Sequence, residues 1–196
     1  MPLALFDFDH TATRCDTYAR FLRTVATPAQ LAQARWTVGP WLLGYRAGLV
    51  SAARMRARAT RVALAGRCAA PLAHRAADYA ANELPSLLRP DMMARLAWHR
   101  GQGHRVVVVS GSLDLYLRPW CAQHGLKLIC NRLEAVDGDL TGRYAGGDVG
   151  ARKVREITRH VHLSGDTRVH AYGDSREDRG MLALAHERWY RGRRAA

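Results

Sequence analysis

A chain of 196 residues with 48% hydrophobic and 24% charged side chains can bury one core of ordinary size, or one core carrying a sizeable insert, and argues against a long disordered tract. Its formal net charge of +13 is almost all arginine, with Lys127 and Lys153 the only lysines, and it admits two meanings: a solvated arginine coat, or attraction for anionic substrates or an anionic membrane surface. Cys15, Cys68, Cys121 and Cys130 form no CxxC pair and no metal-ligand spacing, and no leader-like segment precedes the first polar motif, so a cytoplasmic protein with reduced thiols is expected.

Pro2 to Phe6 is a short apolar run leading into Asp7-Phe8-Asp9, the pattern of a buried parallel strand with carboxylates at its C-terminal end. From Asp16 to about Leu88 the pattern is helical. Tyr18, Phe21, Leu22 and Val25 recur on one helix face, Pro28 fits a helix start, and Gly39-Pro40 fits a helix break. Val50 to Leu64 is helical again, with Gly66 to end it, and about four helices are expected in all. This segment is strongly basic: the twelve arginines from Arg14 to Arg89 meet only Asp16, Asp78 and Glu83. Its most apolar part, Trp36 to Val50, is interrupted by Arg46 and falls short of the ~20 residues of a membrane span. Trp36, Trp41, Leu42, Leu43 and Tyr45 are expected in the core of the helical segment.

The second half alternates helix and strand. Met92 to His99 reads as a helix, Arg105 to Val109 as a valine-rich strand ending at Ser110, and Leu113 to His124 as a helix. Leu126 to Cys130 reads as a strand, Asp137-Gly138-Asp139 as a hairpin turn, and Ala151 to His162 as a helix. A strand over Arg168 to Tyr172 runs into Gly173-Asp174-Ser175; a short helix over Asp178 to Ala185 and a last strand near Arg188 to Arg191 close the chain. Such alternation predicts a doubly wound parallel sheet. Ligands bind beyond the carboxyl ends of the strands of such sheets. Asp7-Phe8-Asp9, Ser110-Gly111-Ser112, Gly173-Asp174 and a helix starting near Lys153 would then share one rim. Carboxylates suit a divalent cation there, and a hydroxyl and a lysine suit a phosphate.

On these residues the chain resembles haloacid-dehalogenase-type phosphatases. Asp7-Phe8-Asp9-His10-Thr11 matches their first motif, DxDxT, Ser110 the second, Lys153 the third, and Gly173-Asp174-Ser175-Arg176-Glu177-Asp178 the fourth, GDxxxD. The four occur in order along the whole chain. The helical segment after the first motif is similar to the small cap of the phosphoserine-phosphatase-like branch. The resemblance implies a Rossmann-like α/β core over 1–15 and 89–196 and an all-helical cap inserted over 16–88. It further implies Asp7 as nucleophile, a group already ionised at neutral pH, and Asp9 as general acid and then base. Mg²⁺ would be held by Asp7, Asp174 and the backbone carbonyl of Asp9, with Asp178 supporting the site from behind. Ser110, the Gly111 amide and Lys153 would neutralise the phosphoryl oxygens.

Other residues keep two readings. His10 stands where the family often has Gly, and shapes the loop or touches substrate. Asp16 stands where phosphoserine phosphatases carry a Glu that meets the substrate amine, and equally suits a helix N-cap. Asp178 likewise suits the N-cap of the final helix. Arg54, Arg58 and Arg61 share a helical face that is either solvated or a substrate clamp. His160 and His162 fall on different faces, against a metal pair. The expected activity is Mg²⁺-dependent hydrolysis of a small phosphorylated metabolite, phosphoserine-like or histidinol-phosphate-like. The alternatives are a lipid phosphate of the phosphatidylglycerophosphate type and a non-catalytic phosphate-binding domain; loss of Asp7 or Lys153 would signal the latter, and both are present. No nucleic-acid-binding motif occurs, the basic cap admits weak association with a membrane surface, and the sequence leaves oligomeric state open.

Overall fold

The structure is a computed structural model and describes residues 1–195. Strand β1 (Leu3–Phe6) leads into a tight loop over Phe8–Ala12. A helical insert follows, with α1 (Thr17–Val25), α2 (Pro28–Thr37), α3 (Gly39–Arg46), α4 (Ala52–Leu64), α5 (Ala69–Asp78) and, past a distorted turn, α6 (Leu84–Leu87). Helix α7 (Pro90–Gly101), β2 (Arg105–Leu113), α8 (Asp114–Gln123) and β3 (Lys127–Asn131) continue the chain. A hairpin of β4 (Leu133–Val136) and β5 (Asp139–Tyr144) precedes α9 (Lys153–His160) and β6 (Val169–Gly173). Helix α10 (Arg179–Ala183), β7 (Glu187–Tyr190) and β8 (Arg193–Ala195) complete it.

The main sheet has the order β3-β2-β1-β6-β7-β8, parallel except for β8. Central β1 is buried at every residue, and its side chains alternate between two cores. Ala4 and Phe6 join α7, α8 and the insert on one face; Leu3 and Leu5 join Ile157 of α9 and Met181 of α10 on the other. The order steps from β1 to β2 on one side and to β6 on the other, so a crevice opens between the carboxyl ends of β1 and β6. The amide of Asp7 donates to the carbonyl of Tyr172 at 2.9 Å across that crevice.

The helices begin where capping chemistry dictates. Asp16 accepts from the Ala19 amide at 2.7 Å and caps α1; Thr27 and Gln30 form a reciprocal capping box on α2, with Pro28 at its first turn; Ser51 caps α4. The β4–β5 turn takes positive φ at Asp137 (50°) and Gly138 (89°), as a tight two-residue hairpin requires. The hairpin lies against α4 and bonds the next loop, with Gly66 N donating to Leu140 O and Leu140 N to Arg67 O, both at 2.8 Å.

Several sequence expectations are corrected. Strand β2 does not end at Ser110 but runs to Leu113 through a register shift after Val109, because Leu113 still pairs with Asn131. Gly39-Pro40 opens α3 instead of only breaking α2, since proline suits a first turn. The insert has more than four helices, and β8 carries no sequence signal because its residues are all exposed. Trp36, Trp41, Leu42, Leu43 and Tyr45 are not core but exposed; α2 and α3 pack on each other and on α4, and no residue between Val25 and Thr60 is buried.

Gly142 of β5 sits at φ +72°, and a Cβ there would lie 2.9 Å from the Arg61 backbone of α4. Gly142→Ala is expected to lower unfolding stability by about 1–3 kcal/mol in chemical denaturation, as overpacking does. A neutral effect would mean that the hairpin and α4 are not tightly docked.

Candidate active site

Asp7, Asp9, Ser110, Lys153, Asp174 and Asp178 converge at the carboxyl ends of β1, β2 and β6. Asp7 follows β1 and is 7% exposed. Lys153, the first residue of α9, is 4% exposed and donates to Asp7 Oδ1 and, at 2.6 Å, to Asp178 Oδ1. Asp178 is fully buried; its Oδ2 accepts from the amides of Asp174 (3.1 Å) and Ser175 (2.9 Å) and from the Ser175 hydroxyl (2.7 Å). It therefore folds the GDxxxD loop back on itself in a reciprocal capping box with Ser175 around the turn Arg176–Asp178, and its side chain makes no cap bond to α10. Thr11 donates to Asp7 Oδ2 at 3.2 Å. The loop between them turns at His10, whose φ of 57° lies in the left-handed region, which accounts for a slot that favours Gly.

Asp9 points into the insert. Its Oδ1 accepts from the Thr17 amide (2.7 Å) and hydroxyl (2.5 Å) at the start of α1, and its Oδ2 accepts from the Ser112 hydroxyl. Ser110 Oγ accepts from the Ser112 amide at 3.0 Å, leaving its proton free to donate. The Gly111 carbonyl accepts from Asn131 Nδ2 at 2.6 Å, which fixes the peptide of the strand's irregular stretch.

Electrostatically the cluster is short of positive charge. Burial pushes the Asp7 carboxyl up to about 8, against the pull of Lys153. Burial and then Asp178 raise Asp174; burial and then Asp16 raise Asp9, opposed by the Ser112 and Thr17 hydrogen bonds. Burial disfavours charge on Asp178 too, yet Lys153 holds it below the usual carboxylate range. Burial works against a charged Lys153, but Asp7 and Asp178 hold it ionised. Carboxylate oxygens of Asp7, Asp174 and Asp178 lie within 4.8 Å of one another, and the Asp174 carboxylate accepts no hydrogen bond among the described residues. That donor set fits a hard divalent cation at Asp7 and Asp174, while the oxygens of Asp178 are engaged elsewhere.

The helical insert reaches this cluster through a residue the sequence pattern did not single out. Arg56 of α4 grips Asp148 (Nε to Oδ2 2.9 Å, Nη2 to Oδ1 2.7 Å) and Glu177 (Nη1 to Oε2 2.9 Å, Nη2 to Oε1 2.8 Å). Its guanidinium lies 3.0 Å from where a Cβ on Gly111 would be. Burial disfavours its charge, but the bonds to both acids raise its pKa above the ordinary value. Arg58 leaves α4 on another side: it donates to Thr37 O at 3.2 Å and lies over the Trp41 ring. It is spent on packing the insert, not turned to Asp7. Arg54 makes no side-chain bond among the described residues and is exposed. The i, i+4 rule picked a side of α4 that turns to α2, α3 and solvent, and Arg56 lies off that face. Thr17 was missed as well, and Ser112, placed on the rim by the sequence, was given no role although it donates to Asp9.

A second group, His99, His104 and His170, gathers behind the sheet with ring nitrogens within 4.8 Å. His99 Nδ1 and His104 Nδ1 are hydrogen-bonded at 2.8 Å, and His99 Nε2 meets the Tyr172 hydroxyl at 2.8 Å. Burial, then His170 and His104, push His99 down to about 3. His170 packs its ring against both, stacked on His104 and edge-on to His99.

Known proteins share this architecture. A family model for haloacid dehalogenase-like hydrolases matches residues 4–183. The protein CicA of Caulobacter vibrioides is 35% identical over 96% of this chain and 85% of its own. A Bordetella pertussis protein of unknown function has a similar structure, with a TM-score of 0.81 at 23% identity over 95% of this chain and 88% of that one. A phosphoserine phosphatase solved as a phospho-aspartyl intermediate analogue has a TM-score of 0.63 at 19% identity over 95% of this chain and 84% of that one.

Breaking the Arg56 bridge leaves Asp148 and Glu177 partly buried without a cation, although Asp148 keeps its bonds from Asn131 and the Ala151 amide. Arg56→Ala is expected to cost about 3–5 kcal/mol of stability, with Arg56→Lys between it and the parent because an ammonium has no planar fork to meet each carboxylate with a pair of bonds. A loss under about 1 kcal/mol in chemical denaturation would reduce the bridge to an ordinary surface pair.

Proposed function

The chain belongs to the haloacid dehalogenase-like hydrolases, and on that premise we propose that it hydrolyses phosphate monoesters by way of a phosphoaspartyl intermediate on Asp7. The observation that carries this reading is the Asp7 carboxylate held at a strand end by Lys153 and Thr11, beside Asp174. In the first half-reaction Asp7 attacks phosphorus, the bond to the ester oxygen breaks, and Asp9 protonates the departing alcohol. A raised Asp9 suits a donor that must arrive protonated. In the second half-reaction Asp9 takes a proton from water, which attacks the phosphoaspartyl group and restores Asp7. Ser110 Oγ, the Gly111 amide and Lys153 Nζ bind the phosphoryl oxygens as charge shifts onto them.

Asp7, Asp174 and the Asp9 carbonyl would hold Mg²⁺, and Asp178 would keep Asp174 in place through its amide. Bound there, the cation supplies the positive charge the cluster lacks and screens phosphate from carboxylate.

The phosphatase neighbour supports a small polar phosphorylated metabolite, phosphoserine-like or histidinol-phosphate-like, with the leaving group selected by the insert. A lipid phosphate of the phosphatidylglycerophosphate type is the second reading, favoured by the exposed apolar side chains on α2 and α3. Retention of Asp7 and Lys153 argues against a non-catalytic phosphate-binding domain. Asp16 spends one carboxylate oxygen on its helix cap and has the other left for a substrate amine. The reduced-thiol, cytoplasmic setting is part of the same proposal; no helix among the described residues is long and apolar enough to cross a membrane.

Asp7→Asn is expected to lower turnover of an aryl phosphate about a thousandfold or more with the fold retained, since the amide cannot attack phosphorus. Full activity in a folded Asp7→Asn protein would remove the covalent mechanism.

Cation binding carries its own signature. The Asp7 carboxyl titrates at 3.8 when unfolded and at about 8 in the fold without a cation, so the fold binds the extra proton between those values and loses stability as pH rises through them. Mg²⁺ competes with that proton. Its thermal stabilisation of the protein is therefore expected to grow from pH 6 to pH 8. A pH-independent Mg²⁺ shift in melting temperature would place the cation elsewhere.

A further inference from the structure

We propose that the outer face of α2 and α3 is a docking surface for an anionic lipid bilayer. Three observations converge on it. Leu31 (40% exposed), Trp36 (84%), Leu42 (36%), Leu43 (66%), Tyr45 (44%) and Leu49 (82%) stand open within one short stretch of chain, joined by Trp41 (38%), whose ring also meets Arg58 of α4. Beyond this stretch, the described residues add only Met1, Trp98 and Val136 as large exposed hydrophobics, each alone in sequence. Isolated apolar residues on a surface are ordinary, but a contiguous set is where a partner sits.

The second observation is charge. No acidic residue occurs between Asp16 and Asp78, and Arg35, Arg46 and Arg54 are exposed around the apolar side chains. Basic groups beside a membrane surface gain from the negative potential of anionic lipids, and Trp and Tyr favour the headgroup level. The third is length. Helix α2 has 10 residues and α3 has 8, so neither can span a bilayer, and together they suit lying in its interface.

Charge also selects among occupants. A second copy would meet this face through a two-fold axis, which sets the patch against itself. Arginine would then face arginine with no carboxylate on the face to relieve it, and like charges brought together disfavour the pairing. A bilayer with anionic headgroups has no such penalty. Contacts to α4 brace the surface from within, where Arg58 ties Thr37 and the Trp41 ring to that helix. On another side of the same helix Arg56 holds Asp148 and Glu177, so docking leaves that contact undisturbed. The docking surface stands independently of the phosphatase reading.

The decisive experiment is co-sedimentation of the whole protein with vesicles of phosphatidylcholine alone or mixed with phosphatidylglycerol. Binding is expected to the mixed vesicles only and to weaken as salt is raised. The double variant Trp36→Ser/Leu49→Ser removes two of the most exposed apolar side chains and should keep its melting temperature and its rate on an aryl phosphate. Its affinity for mixed vesicles should fall at least about tenfold. Arg35→Glu/Arg46→Glu, at exposed positions, should abolish binding independently. Failure to bind mixed vesicles, or binding unchanged in both folded variants, overturns the proposal. A stable dimer that Trp36→Ser/Leu49→Ser dissociates, without vesicle binding, also overturns it and assigns the face to a second copy. Vesicle binding by a protein inert toward phosphate esters would sustain the docking surface and sink only the catalytic reading.

Discussion

One buried ammonium organises the functional half of the molecule. Lys153 Nζ lies between Asp7 and Asp178, with about 3% of its side chain exposed, and it joins the end of β1, the start of α9 and the loop after β6. Moving a charged amine this far from water is costly unless carboxylates meet it at hydrogen-bond distance. Those carboxylates are in place because β1 and β6 pair in register, with Phe6 opposite Tyr172, so both chains leave the sheet at the same height. A chain with an arginine bias this strong still has lysine here. A compact point charge with three donors fits between two carboxylates where a planar guanidinium would need more room.

The same cluster holds more carboxylate than ammonium. Asp7 and Asp174 are raised while Asp178 is lowered: Lys153 touches both Asp7 and Asp178, but Asp178 also accepts from the Asp174 and Ser175 amides and the Ser175 hydroxyl, and burial prevails at Asp7 and Asp174. Burial without enough counterions favours the protonated forms of Asp7 and Asp174.

Arg56 plays for the insert the part Lys153 plays for the core. It carries one charge from α4 to two acids, Asp148 in the loop after β5 and Glu177 inside the GDxxxD loop, and so couples the position of the helical insert to the loop that bears Asp174. Thr17 adds a second link by holding Asp9 from the first turn of α1. The insert therefore has two unlike faces: an inner one of Tyr18, Thr60 and Arg56, hydrogen-bonded to the core, and an outer one of open tryptophan, leucine and arginine.

Much of the core was legible in the sequence because its signals are local. An apolar run that ends in carboxylates, a valine run that ends in Ser110, and Gly173-Asp174 after another strand each state their own structure within a few residues, and β1, β2 and β6 bring them to one rim. Asp16 as a helix cap and the Asp137-Gly138 turn were legible for the same reason. What lay beyond the sequence depends on partners far along the chain. Arg56 is 121 residues from Glu177, and helical periodicity sets it on a different side of α4 from Arg54 and Arg58 without saying which side meets an acid. The fate of Trp36 to Tyr45 was decided the same way: apolar helices announce that they will be covered, but only the packed fold shows that α4 covers one side and leaves the other open. Sequence thus determined which groups stand at the strand ends, since backbone pattern and side-chain chemistry are written together there. Tertiary structure decided which of the many arginines meets an acid and which aromatic side chains meet water, because burial is a property of the assembled layers and not of any segment within them.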